Sequence, residues 1–165
     1  LHRMNKKILS RATLAREVRR LKRHHRHIVT TNGVFDILHV GHVRYLARAK
    51  KLGDTLIVGV NSERSARALG KGPRRPLQCA RDRAELLAAL ECVDFVTIFD
   101  ENDPRVLLET IKPDVHVKGG DYTLEALPER EVVERHGGKI VLIKSVAGYS
   151  TTSLIERIRA GAPQQ

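Results

Sequence analysis

Apolar positions along the chain change period repeatedly, and each change marks a switch between helix and strand. Leu14, Val18 and Leu21 recur at helical spacing behind Ser10, which predicts a capped helix running to about His25. A short β-rich run follows at His27–Thr31, then a helical pattern from about His39 to Leu52, with Gly53 as its C′ glycine. Asp54–Asn61 contains the apolar run Leu-Ile-Val-Gly-Val of a buried strand, and Ser62 caps a short helix reaching Leu69. Residues 70–76, Gly-Lys-Gly-Pro-Arg-Arg-Pro, break every regular pattern and read as a mobile loop. A helix at about Ala80–Leu90 precedes a strand at Phe95–Phe99. Asp103-Pro104 opens a helix to Ile111, with Pro104 at its first position. A strand at Asp114–Val117, a helix at about Pro128–His136, a strand at Lys139–Ile143 and a terminal helix to Arg159 complete the series.

Five strands separated by helices predict an α/β fold, a doubly wound five-stranded parallel sheet with right-handed crossovers. Residues 1–26 form an extra basic N-terminal helix or arm, 27–160 the main domain and 161–165 a tail. In such sheets ligands bind beyond the carboxyl ends of the strands, near the switch in strand order. Gly33–His42 follows the first strand, Gly119–Tyr122 the fourth, and Gly148–Thr152 comes after the fifth. All three segments are expected to converge on one edge.

Charge changes this picture little. The net charge is +11, but residues 1–28 hold ten Lys and Arg against one acid, Glu17, leaving twenty basic and eighteen acidic residues elsewhere. The body is nearly neutral, so the excess belongs to the N-terminal segment. That argues against a nucleic-acid partner, as does the scarcity of stacking rings: three Phe, three Tyr and no Trp. Hydrophobic residues make up 41% and charged ones 30%, as in soluble globular proteins. Neither a membrane-length apolar run nor a signal-peptide pattern is visible. Cys79 and Cys92 lack metal or redox spacing and fit reduced thiols, so a cytoplasmic location is expected.

The candidate chemistry centres on Thr31-Asn32-Gly33-Val34-Phe35-Asp36-Ile37-Leu38-His39-Val40-Gly41-His42. His39 and His42 stand three apart where a strand hands over to a helix, so they share a helix face. The first helical turn presents unpaired N–H groups and a positive dipole end, suited to phosphate. Imidazoles there can donate to oxygens that gain charge during phosphoryl or nucleotidyl transfer. Gly41 leaves the space between the rings open, and Gly33 lets backbone approach a ligand. The competing readings are a metal-binding pair, disfavoured by the lack of accompanying Cys or Glu, and two packed core histidines.

Other candidates are less sharply defined. Lys71 could close over a polyphosphate or be an ordinary loop lysine, and Arg74, Arg75 and Arg83 are weaker cations. Asp36 could position a histidine, approach a metal or stabilise its turn. Asp121 follows two glycines at a strand end, where it could accept a substrate hydroxyl or amine. Ser150, Thr151 and Thr152 stand at a helix start; capping explains one hydroxyl and phosphate contact would explain the row. No nucleophile elbow, P-loop or kinase signature is present.

These residues resemble the cytidylyltransferase-like nucleotidyltransferases. Gly-Val-Phe-Asp-Ile-Leu-His-Val-Gly-His is similar to the family's GxFDxxHxGH signature, and Tyr149-Ser150-Thr151-Thr152 to its second, hydroxyl-rich signature. Lys71–Pro76 and Val117-Lys118-Gly119-Gly120-Asp121-Tyr122 resemble the branch that adenylylates heptose 1-phosphate, in its free-standing form. The resemblance implies a Rossmann-like fold and AMP transfer from ATP to D-glycero-β-D-manno-heptose 1-phosphate, with Mg²⁺ held through the phosphates. It further implies His39, His42 and Lys71 as catalytic residues. Asn32, Gly33, Val34, Phe35, Gly41, Asp121, Tyr149, Ser150 and Thr151 would line the nucleotide, and Asp36, Lys118 and Arg83 the acceptor. A homo-oligomer, a dimer, is expected on the same basis. Two departures stand out: Lys144–Gly148 lacks the arginine that glycerol-phosphate cytidylyltransferases carry there, and their Gly-Asp-Asp-Trp reads Gly-Gly-Asp-Tyr. Rival readings are a cytidylyltransferase for glycerol 3-phosphate or another acceptor, and a noncatalytic nucleotide- or RNA-binding module.

Overall fold

The computed structural model describes residues 6–70, 72, 75–120, 122–144 and 148–161. Five strands, β1 (Ile28–Gly33), β2 (Thr55–Asn61), β3 (Phe95–Phe99), β4 (Val115–Gly119) and β5 (Lys139–Ile143), form one sheet in the order β3-β2-β1-β4-β5. Every pairing is parallel. The order reverses between β1 and β4, so the crevice of a doubly wound sheet opens between their carboxyl ends. Helices α1 (Arg11–Arg23), α2 (Val40–Lys50), α3 (Glu63–Ala68), α4 (Ala80–Ala88), α5 (Arg105–Ile111), α6 (Arg130–Arg135) and α7 (Thr151–Arg159) flank it.

Alternation along β1 divides two cores. Val29 packs with Val58, Val96 and Val117 beneath Leu46 and Ala49 of α2 and Leu87 of α4. On the opposite face, Ile28 and Ile57 meet Leu14, Val18 and Leu21 of α1 and Leu107 and Ile111 of α5. The basic N-terminal helix is therefore not a separate arm but one layer of the domain. Its apolar stripe is buried while its arginines cover the outside. The preceding residues are bound as well: Leu9 N donates to Val96 O and Val96 N to Lys7 O, both at 2.9 Å, along the outer edge of β3.

Aspartates at the amino ends of the strands set the register. Asp54, Asp94 and Asp114 each immediately precede a strand and accept from the amides of His27, Leu56 and Ile28, respectively, at 2.7 Å. Two expected local details change. Pro104 is the N-cap of α5 rather than its first helical residue, because the Asp103 carboxylate takes the Arg105 amide. Gly53 has no left-handed φ and lies beyond the C-cap Lys51. A Cβ at Gly53 would come within 2.7 Å of Val29 and 2.9 Å of the His27 carbonyl, so close approach explains this glycine.

Candidate active site

β1 ends by delivering Asn32 and Gly33 to the carboxyl edge of the sheet, and the chain turns sharply there. Phe35 holds a left-handed φ of +49°, and a Cβ on Gly33 would approach its ring to 3.0 Å. His39 is the N-cap of α2 and makes no side-chain capping bond, leaving its imidazole uncommitted to the helix. The His39 and His42 rings stack with centroids 3.9 Å apart and an interplanar angle of 22°. Phe35 meets His42 edge-on at 5.3 Å. Burial pushes the His39 pKa below its usual 6.5, which disfavours the charged ring. Its Nδ1 has no hydrogen-bond partner among the described residues.

The second motif arrives against the same turn. A Cβ at Gly41 would lie 2.9 Å from both His39 Nδ1 and Tyr149 Cβ, so the glycine admits the first and last motifs side by side. Thr151 Oγ1 donates to the Ile37 carbonyl at 3.5 Å. Ser150 caps α7 in a reciprocal box: its Oγ accepts from Ser153 N at 3.0 Å, and Ser153 Oγ accepts from Ser150 N at 3.3 Å. Capping thus occupies Ser150, while Thr151 ties α7 to the β1–α2 turn.

Two residues expected on the acceptor side have other duties. Asp36 is 1% exposed; its carboxylate accepts from Arg75 Nε and Leu77 N at 2.7 Å and from Gln78 N at 3.1 Å. A fully buried carboxylate needs such partners, and these leave it no face toward a substrate. Arg83 is likewise completely buried. It donates to the Val34 carbonyl at 2.6 Å and to the Gln78 carbonyl at 3.1 Å, with burial lowering its pKa. Together Asp36 and Arg83 stitch the β1–α2 turn to the segment entering α4. Lys118 stands at the carboxyl edge of β4, where its ammonium donates to Asn32 Oδ1 at 3.2 Å and pairs with Glu129 at 2.9 Å. Lys71, Arg74 and Asp121 lie outside the described residues.

Several contributors carry no sequence signature. Tyr45 on α2 shares a 2.6 Å hydrogen bond with Thr31 Oγ1 and donates to the Val117 carbonyl at 3.0 Å. It thereby pins α2 across β1 and β4. Gly119 makes room for it, since a Cβ there would meet the Tyr45 ring at 2.8 Å. Arg44 places its guanidinium 5.7 Å from the Tyr149 ring centroid. Helical spacing from His39 puts Arg44 and Tyr45 on α2, but only the fold supplies their partners.

An open groove of about 510 Å³ bordered by Val106, Glu109 and Arg135 includes none of the expected site residues. No group of three or more His, Cys, Asp and Glu that could hold a metal occurs among the described residues. No helix among them is long and apolar enough to cross a membrane.

Comparison with known proteins agrees with this geometry. The cytidylyltransferase-like family profile matches residues 30–157, from mid-β1 into α7. A protein of Bordetella bronchiseptica named D-beta-D-heptose 1-phosphate adenylyltransferase is 52% identical over 159 residues, 96% of this chain and 98% of its own length. The "Bifunctional protein HldE" of Geotalea uraniireducens is 53% identical over 156 residues, 94% of this chain. This chain spans only 32% of that relative, and 26% of its counterpart from Geobacter sulfurreducens. Among solved structures, a lipopolysaccharide core biosynthesis protein from Thermoplasma volcanium superposes with a TM-score of 0.62 at 31% identity, covering 73% of this chain and 97% of that one. With both signatures meeting at one sheet edge and the family profile running through them, the chain belongs to the cytidylyltransferase-like family.

Proposed function

We propose that the protein is an adenylyltransferase that moves AMP from ATP to D-glycero-β-D-manno-heptose 1-phosphate, releasing pyrophosphate and forming ADP-heptose. The observation that carries this reading is the stacked His39–His42 pair at the amino end of α2, with Tyr149 closing on Gly41 beside it. The near-full-length likeness to a protein named for heptose 1-phosphate supports the choice of acceptor. A phosphate oxygen of the sugar attacks the α-phosphorus in line, the α–β bridge bond breaks, and its electrons leave on pyrophosphate. His39 and His42 donate to the phosphate oxygens that gain charge, and first-turn amides add to this field. With the imidazolium disfavoured by burial, the neutral His39 ring still keeps one N–H to donate. Mg²⁺ would enter with the triphosphate and neutralise part of its charge; Asp36, buried and committed to Arg75, Leu77 and Gln78, is not a candidate ligand for it. We further propose that Lys71 reaches the phosphates from its loop, and that Asp121 serves the nucleotide side. We further propose that the protein works in the cytoplasm, where Cys79 and Cys92 would stay reduced, and that it forms a homo-oligomer.

The test is a pyrophosphate-release screen pairing ATP, CTP and GTP with heptose 1-phosphate, glycerol 3-phosphate and FMN. ATP with heptose 1-phosphate should exceed every other pair. Preference for CTP with glycerol 3-phosphate would overturn the proposal, as would RNA binding that weakens steeply with salt without any release.

A further inference from the structure

Beneath the crevice lies a buried ionic cluster that nucleotidyl transfer does not obviously require. Glu129 is 1% exposed and His116 fully buried. Thr30 Oγ1 and His116 Nδ1 share a hydrogen bond of 2.8 Å, and His116 Nε2 faces Glu129 Oε1 at 3.7 Å. The same carboxylate oxygen lies 2.9 Å from the Lys118 ammonium, which donates to Asn32 Oδ1 at 3.2 Å. Burying a carboxylate is costly, and a neutral or apolar group would fill the space more cheaply. An ion retained at such a place points to a task beyond packing.

Strand geometry locates that task. Thr30, Asn32, His116 and Lys118 share one face of β1 and β4, opposite the face on which Thr31 meets Tyr45 of α2. The histidine pair serves a ligand at the amino end of α2. Asn32 and Lys118 stand at the penultimate positions of the two strands that border the switch point, on the other side of the sheet. An ammonium has three donors; Asn32 accepts one, and Glu129 holds the charge as an ion pair, so donor capacity remains for a ligand oxygen. The Lys118 side chain is 14% exposed, so that donor can reach the crevice.

We propose that Glu129 is a positioning residue: it holds the Lys118 ammonium against Asn32 so that its remaining donor meets the phosphate of the acceptor rather than the triphosphate. The identity of the acceptor rests on the reading under Proposed function; the Glu129–Lys118 relationship does not. The low pKa of Glu129 agrees with a permanently charged anchor: burial raises it, but His116 and Lys118 outweigh burial and bring it to about 2.

The experiment compares Glu129→Gln, Glu129→Asp, Lys118→Met and the double variant Glu129→Gln/Lys118→Met in the full chain. Kinetics with ATP and heptose 1-phosphate are read alongside the Lys118 side-chain ammonium resonance in ¹⁵N NMR. Glu129→Gln should raise the acceptor KM about tenfold or more while leaving the ATP KM and kcat within about threefold. The double variant should be no worse than Lys118→Met alone, and Glu129→Asp should recover part of the loss. The Lys118 ammonium signal, protected from exchange in the wild type, should vanish in Glu129→Gln. An unchanged ammonium signal, effects that multiply in the double variant, or a fall in thermal stability with an unmoved acceptor KM would overturn the proposal. If Glu129→Gln does not fold, Glu129→Asp carries the same comparison. If the wild type releases pyrophosphate with no substrate pair, the transfer reading fails, while the ammonium resonance still judges the link from Glu129 to Lys118.

Discussion

Arg75 donates from Nε to the buried carboxylate of Asp36 at 2.7 Å, joining the turn after β1 to the far end of the 70–76 loop. The same carboxylate holds the Leu77 and Gln78 amides, so one side chain anchors the segment through which that loop returns to the domain. Asp36→Ala removes this anchor and strands a guanidinium and two amides. Stability should fall by about 3 kcal/mol in chemical denaturation. The ATP KM should also rise, because the loop bearing Lys71 loses its fixed end. Unchanged stability and KM would show that Asp36 does not anchor the loop.

His42→Ala should lower kcat roughly 10²–10³-fold, the loss expected for one transition-state donor. Circular dichroism should remain that of the wild type, since β1 and α2 keep their other contacts. Steady-state kinetics with near-normal turnover would remove His42 from the reacting centre.

His39 should titrate below 6.5 in the free protein when its ring proton is followed by NMR, because burial disfavours the imidazolium. Adding ATP brings negative charge to the ring and favours the protonated form, so the midpoint should move upward. A midpoint unmoved by ATP would place the triphosphate elsewhere.

Glu129 makes stability depend on acid. Its folded pKa, about 2, lies below the ordinary 4.5, so its contribution is fully present above pH 4.5 and is lost as pH falls toward 2. Across that window the wild type should lose up to about 3 kcal/mol more than Glu129→Gln in denaturant titrations. Parallel stability curves for the two proteins would contradict the low pKa.

Periodicity revealed most of the fold because each strand is an apolar run bounded by a capped or glycine-terminated helix. The carboxyl-edge motifs were legible for a different reason: phosphate chemistry demands glycines, imidazoles and hydroxyls at fixed short spacings. Partnerships across the sheet were not legible. Asp36 looks like a ligand-facing acid until Arg75, thirty-nine residues later, fills its coordination. Arg83 reads as an ordinary helical charge, yet it is sealed beneath the Val34 carbonyl. Glu129 and His116 gave no local signal because their contact depends on bringing β4 against a distant helix cap. The apolar stripe of α1 was visible in Leu14, Val18 and Leu21; that it completes the core depended on Phe99, Leu107 and Ile111.

The family profile begins at residue 30, whereas the pairing of Lys7 and Leu9 with Val96 shows that the physical unit starts earlier. Trimming the chain to the profile's limits would bare the flank of β3, remove Ile28 and uncover Ile57 and Phe99 together. The resulting fragment would carry both signature motifs and still be prone to self-association. For this protein, homology marks where the chemistry resides, while the seam along Val96 marks how much chain must be kept for that chemistry to stay in solution.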